Sequence, residues 1–144
     1  MRLSPGLLIF SAIALGACHR SVASSTTPEA KGPALVGTEW TLVELDGQPA
    51  GLGAGDKAAT LTLVSDANHA SGFAGCNRMS GSYELTGAAL RFGPMAVTRM
   101  ACATGMDLET KFLSAIEATR GYRMTDQGLE LTGETGTLAR FTHP

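Results

Sequence analysis

Only one stretch of this 144-residue chain carries apolar residues at helical spacing. Leu108, Phe112 and Ile116 recur every four residues, and Leu113 widens the stripe, which is the pattern of an amphipathic helix. Asp107 and Glu109 stand near its start and Arg120 near its end, a distribution that complements the helix dipole. Gly121 offers a C-terminal stop. The spacing predicts one helix at about 106–120. The other apolar residues beyond the N-terminal region fall in short runs between turn residues, which favours short strands over a helical bundle. Its 18 glycines exceed the usual ~7% share and favour many turns.

The short runs read as strands. Glu39-Trp40-Thr41-Leu42-Val43-Glu44-Leu45 alternates, with Trp40, Leu42 and Glu44 on one face, and Asp46-Gly47 turns it. Gly51 to Asp56 is a loop, and residues 59–64 repeat the period-2 pattern of a half-buried strand. Residues 70–74, 82–85, 89–92 and 95–100 supply further candidates. After the helix, residues 122–124, 129–131 and 138–141 form a meander broken at Asp126-Gln127-Gly128 and Glu134-Thr135-Gly136. Strands, one helix, then strands gives an α+β domain. Uncovered sheet edges invite aggregation, so the economical closure is a small antiparallel curved sheet, a cracked β-barrel, with the helix covering its gap.

The first residues read as an address. Met1-Arg2 supplies a positive start, residues 3–15 are mostly apolar, and Leu15-Gly16-Ala17-Cys18 follows. That is the layout of a secretory signal peptide, and the apolar run is shorter than the ~20 residues of a membrane span. Leu15-Gly16-Ala17-Cys18 resembles the bacterial lipobox, which implies lipidation at Cys18 and a signal peptide of residues 1–17. Residues 18–34, rich in Ser, Thr, Ala, Pro and Gly, then read as a lipidated end and flexible tether. His19 after the cysteine, rather than Asp, implies by the same resemblance the outer membrane facing the periplasm. Residues 35–144 remain for one folded domain, enough for a single core.

The net charge of -2 lacks the concentrated basic face of a nucleic-acid protein. With Cys18 taken by lipid, Cys76 and Cys102 are left as an even pair in an oxidising compartment. They read as a structural disulfide, with a free buried pair and a redox or nucleophilic cysteine as weaker alternatives. His69, Cys76, Cys102 and His143 could be written as a zinc set, but no two have the short spacing of such sites. Gly72 and Gly75, before Cys76-Asn77, read as a tight turn or bulge, with Asn77 bonding backbone groups there. A phosphate loop would need a helix to follow, and a strand follows instead. Glu109 has no second carboxylate at a fixed spacing; it serves the helix dipole or pairs with Arg99. Neither a Gly-x-Ser-x-Gly elbow nor a Walker motif occurs. Met79, Met95, Met100, Met106 and Met124 either fill core gaps or line an adaptable groove. Trp40, Tyr83 and Tyr122 read as core or rim aromatics.

The segment Gly72-Phe73-Ala74-Gly75-Cys76-Asn77-Arg78-Met79-Ser80-Gly81-Ser82-Tyr83 resembles the signature of the META domain family. Thr98-Arg99-Met100-Ala101-Cys102, then Met106, Glu109 and Phe112, and the opening Leu35-Val36-Gly37-Thr38-Glu39-Trp40 agree with it. The resemblance marks Gly72, Gly75, Cys76, Asn77, Gly81, Tyr83, Thr98, Met100, Cys102 and Glu109 as motif residues, structural or binding. It implies a cracked barrel in the cell envelope, without established enzymatic activity; the residues themselves offer no catalytic set, and no metal or cofactor is expected. Family members include a heat-shock lipoprotein associated with novobiocin resistance, and the fold is similar to that of pilot lipoproteins that chaperone secretion channels. The expectation is therefore a monomeric, lipid-anchored binding or chaperone-like module. Its contacts would be the membrane through the lipid and an envelope protein, with no nucleic acid. A carrier of a small apolar or lipid ligand is the alternative, and an envelope enzyme using Cys76 or Glu109 the second.

Overall fold

Alternation in the sequence becomes alternation in space. The computed structural model describes residues 32–144; Cys18, the leader and the tether up to residue 31 lie outside the described residues. Strand β1 (Glu39–Leu45) buries Trp40, Leu42 and Leu45. It turns through Asp46-Gly47 into the two-residue β2 (Gln48–Pro49). A 3-10 turn at Ala54–Asp56 precedes β3 (Thr60–Val64), and a second at Asp66–Asn68 precedes β4 (His69–Phe73). Then come β5 (Arg78–Thr86), β6 (Ala89–Phe92), the short β7 (Ala96–Val97), and helix α1 (Met106–Ala118). The chain ends in β8 (Gly121–Thr125), β9 (Gly128–Gly133) and β10 (Gly136–Thr142).

The ten strands form one antiparallel sheet in the order β10-β9-β8-β6-β5-β4-β3-β1-β2, with β7 on β5. β1 also pairs with β10, from Thr41↔Thr142 to Leu45↔Ala139, so the sheet bends into a ring of hydrogen bonds. The ring is not a regular barrel. Between β6 and β8 only Ala89↔Gly121 are in register, supported by Leu90 N–H to Arg120 O and Tyr122 N–H to Ala88 O. Helix α1 packs against β1, β6, β9 and β10, so it touches strands on either side of that narrow seam. Its buried residues Phe112, Ala115 and Ile116 enter the core, where the Phe112 and Phe141 rings lie 5.9 Å apart. This is the expected α+β arrangement of a curved antiparallel sheet and one helix.

Three boundaries differ from the sequence reading, each for a physical reason. The helix stops at Ala118 rather than near Arg120. Thr119 is extended, its hydroxyl donates to Ala115 O, and Arg120 N–H already pairs with Thr132 O. The sheet has claimed Arg120, whose carbonyl also accepts from Leu90 N–H, so Gly121 opens β8 instead of capping the helix. Strand β5 begins four residues earlier than residue 82, because Arg78 to Gly81 pair with β4 and bury Met79. The candidate strand at 95–100 shrinks to β7. Beyond β7, Thr98 N–H still bonds Arg78 O, but Met100 N–H goes to the Asn77 side chain.

Candidate functional site

The turn after β4 is fastened to the helix by one carboxylate. Glu109 Oε2 accepts from the backbone N–H of Cys76 at 3.2 Å and of Asn77 at 2.6 Å. Its Oε1 accepts from Asn77 Nδ2 at 3.0 Å. The other half of the Asn77 amide faces the chain after β7. Asn77 Oδ1 accepts from Met100 N–H at 2.7 Å and from the Thr98 hydroxyl at 3.0 Å. Its Nδ2 also donates to Met100 O. Cys76 and Cys102 are joined by a disulfide across 26 residues of sequence. Asn77, Glu109 and Cys76 are all buried. Turn, strap and helix are thus tied by a satisfied polar network, the form in which buried polar groups are tolerated.

Glycine makes the approach close enough. Gly75 (φ 132°) and Gly105 (φ 90°), which precedes α1, both adopt conformations open to glycine. A Cβ on Gly105 would lie 2.2 Å from Gly75 O, and one on Gly75 would lie 2.7 Å from Gly105 O. Gly75 O in turn accepts from Ala54 N–H, so three loops meet at one carbonyl. Asn77 therefore secures the 98–100 segment and the helix, not its own turn as the sequence suggested. Glu109 pairs with backbone donors and Asn77; the structure places no Arg99 contact on it. The disulfide leaves neither Cys76 nor Cys102 a thiolate for zinc.

Two other surfaces stand out. A charged ladder crosses the outer face from β8 through β9 and β10 to β1. Arg123 and Arg140 both bind Glu130, and Arg140 also binds Glu44. The Arg140 and Arg123 guanidiniums hold the Glu130 carboxyl below its ordinary pKa, against the opposing effect of burial. A groove of about 920 Å³ lies on the outer face of β1, β3, β4 and β5, and a smaller depression of about 430 Å³ lies between α1 and the loop after β6. The sequence reading did not single out the ladder; of the groove lining it marked Gly72, Cys76, Thr98 and Met100 as motif residues.

The model of the META domain matches residues 33–144. The chain belongs to the META domain family. A solved META-like structure, an NMR structure of a protein from Burkholderia xenovorans, is 32% identical with a TM-score of 0.61, covering 81% of this chain and 96% of that one. A second NMR structure, 22% identical with a TM-score of 0.57, covers 74% of this chain and 88% of its own and shows the same fold. No curated protein matches the chain.

Within this META domain the motif residues divide into two groups. Gly75, Cys76, Asn77, Thr98, Met100, Cys102 and Glu109 converge on the network just described. Gly72, Gly81 and Tyr83 do not join it. Gly72 lies so close to Thr60 O that a Cβ would meet it at 1.9 Å, and Gly81 backs onto Pro94 and Met95. Tyr83 is buried, with its hydroxyl donating to Val64 O at 3.2 Å. The methionines divide as well: Met79 is core, whereas Met100, Met106 and Met124 are exposed. Trp40 is fully buried with Nε1 donating to Leu35 O, and His143 meets its ring edge-on.

Proposed function

We propose that this META domain is a lipid-anchored, non-catalytic binding module of the bacterial cell envelope, chaperone-like towards an envelope protein and active under stress. One observation carries the reading. The side chains with the most chemical capacity, Cys76, Cys102, Asn77 and Glu109, are spent on one another and on backbone groups. They hold loops in place and leave the outer surfaces to meet a partner. The lipobox-like Leu15-Gly16-Ala17-Cys18 and the tether after it supply the anchor. A strain lacking the protein should become sensitive to heat or novobiocin, and a Cys18→Ala form should fail to restore resistance. Full restoration by that unanchored form would reject the anchor. Cross-linking in intact cells followed by mass spectrometry should capture one reproducible envelope protein.

The depression beside α1 favours a second reading, a carrier of an apolar ligand. Phe92, Pro94, Met95 and Leu113 line it, with Glu117 as its one charged group, and a mostly apolar lining with a single polar group suits a small amphipathic ligand. Protein purified without denaturation and extracted with organic solvent should then release a stoichiometric lipid. Clean extracts, together with refusal of added fatty acid, would remove this reading.

A further inference from the structure

The groove on the outer face of β1, β3, β4 and β5 has a chemistry of its own. Its volume of about 920 Å³ is that of a ligand-sized site. Leu61, Leu63, Ala70 and Met79 face the core, so their strand neighbours face the groove. Register sets those neighbours in rows. Thr62, Ser71 and Ser80 stand side by side across β3, β4 and β5, and Thr41, Thr60, Phe73 and Arg78 form the next row. Among the described residues, the Thr60 hydroxyl accepts from Phe73 N–H, whereas those of Thr41, Thr62, Ser71 and Ser80 have no protein partner. Arg78 ends the row that holds Phe73 and Lys57 also lines the groove; neither makes an ion pair among the described residues. Glu39 ends the other row, on β1 beside Thr62.

We infer that this groove binds a carboxylate-bearing saccharide. Free hydroxyls spaced across neighbouring strands match the repeated hydroxyl and amide groups of a sugar. The Phe73 ring offers a face for the apolar C–H side of a pyranose. Lys57 and Arg78 provide cations for a carboxylate, and the guanidinium can take one bidentately. An added peptide strand is disfavoured, because the strands under the groove already pair on both sides and strand addition needs a free edge. Two cations beside one acid are too few for a nucleic-acid backbone. The source of such a glycan, the bacterial wall, rests on the envelope reading above.

The test uses two matched probes and the full chain labelled with 15N. One probe is the β-1,4 disaccharide of N-acetylglucosamine and N-acetylmuramic acid; the other is diacetylchitobiose, which lacks only the carboxylate-bearing lactyl ether. Amide shifts should centre on Thr41, Thr62, Ser71, Phe73 and Ser80. The acidic probe should bind about tenfold more tightly, the worth of one charge-assisted contact. Arg78→Gln should remove most of that difference while leaving chitobiose affinity in place, and Phe73→Ala should weaken both. Equal affinity for the two probes, no shifts at millimolar probe, or shifts centred on Phe92 and Leu113 would overturn the inference. So would full displacement by inorganic phosphate at equal concentration, which would mark a simple anion site. Binding here by a chain whose Cys18 proves unlipidated would keep the groove and remove the lipid anchor. An anchored chain whose groove ignores both probes would do the reverse.

Discussion

Glu109 satisfies three donors of the Cys76–Asn77 turn with one carboxylate. Its removal strands buried N–H groups, each costing roughly 1–3 kcal/mol when left unpaired. With three donors stranded, Glu109→Ala should lower unfolding free energy by roughly 3 kcal/mol or more. Glu109→Gln, which keeps one acceptor oxygen, should lose less. Urea denaturation reads both. An unchanged midpoint accompanied by lost biological activity would instead make Glu109 a residue of chemistry. At Gly105 a side chain would clash with Gly75 O and add the strain of a left-handed backbone, so Gly105→Ala should cost about 2 kcal/mol or more. A Gly105→Ala protein as stable as the parent would mean that the three-loop contact can relax freely. The motif residues themselves were legible in the sequence; their partners were not. Asn77 and Glu109 are 32 residues apart in sequence, and a backbone N–H leaves no mark in the residue pattern. Arg99 looked like the natural partner for Glu109 only because charge is visible in a sequence and geometry is not.

The strap from Thr98 to Gly105 contains no strand or helix, and its place is fixed by Asn77 and the disulfide. Closing the 26-residue separation restricts the unfolded chain by about 3.5 kcal/mol on the loop-entropy model. The paired change Cys76→Ser with Cys102→Ser should cost that amount in urea denaturation. It should also raise hydrogen exchange at residues 98–105 while Leu61, Leu63 and Leu131 stay protected. Uniform acceleration throughout would show that the strap is part of the global cooperative unit. The β6–β8 seam should open locally for a different reason: it has one register pair, and regions with few ladder bonds open at low free energy. Elements with a clear period, α1 and most strands, could be read from the sequence. Those shaped by neighbours could not. β5 starts early because β4 pairs with it, β7 is short because Met100 N–H goes to the Asn77 side chain, and α1 stops early because the sheet takes Arg120.

At the scale of the molecule the ring closes where the first long strand meets the last, and the charged ladder crosses that closure. The Arg140–Glu44 pair joins residues 96 apart in sequence. Alternation alone puts Glu130 outward between Leu129 and Leu131, yet only the register of β8, β9, β10 and β1 sets Arg123, Arg140 and Glu44 beside it. The pairing has a consequence for pH. Arg140, and after it Arg123, hold the folded-state Glu130 pKa below its ordinary value of 4.5. In the unfolded chain those partners are gone, so the unfolded state takes up the proton first as pH falls. The stabilisation is therefore complete above about pH 4.5, and is lost as pH drops through the lower folded-state value. Thermal melts of the parent and of Glu130→Gln between pH 7 and pH 3 isolate this group from the other carboxylates. The parent should hold its advantage at neutral pH and surrender it below about pH 4.5, where the two melting temperatures should converge. Curves that stay parallel down to pH 3 would show that Glu130 gains no more from its arginines folded than unfolded, and that the ring closes without the ladder's help.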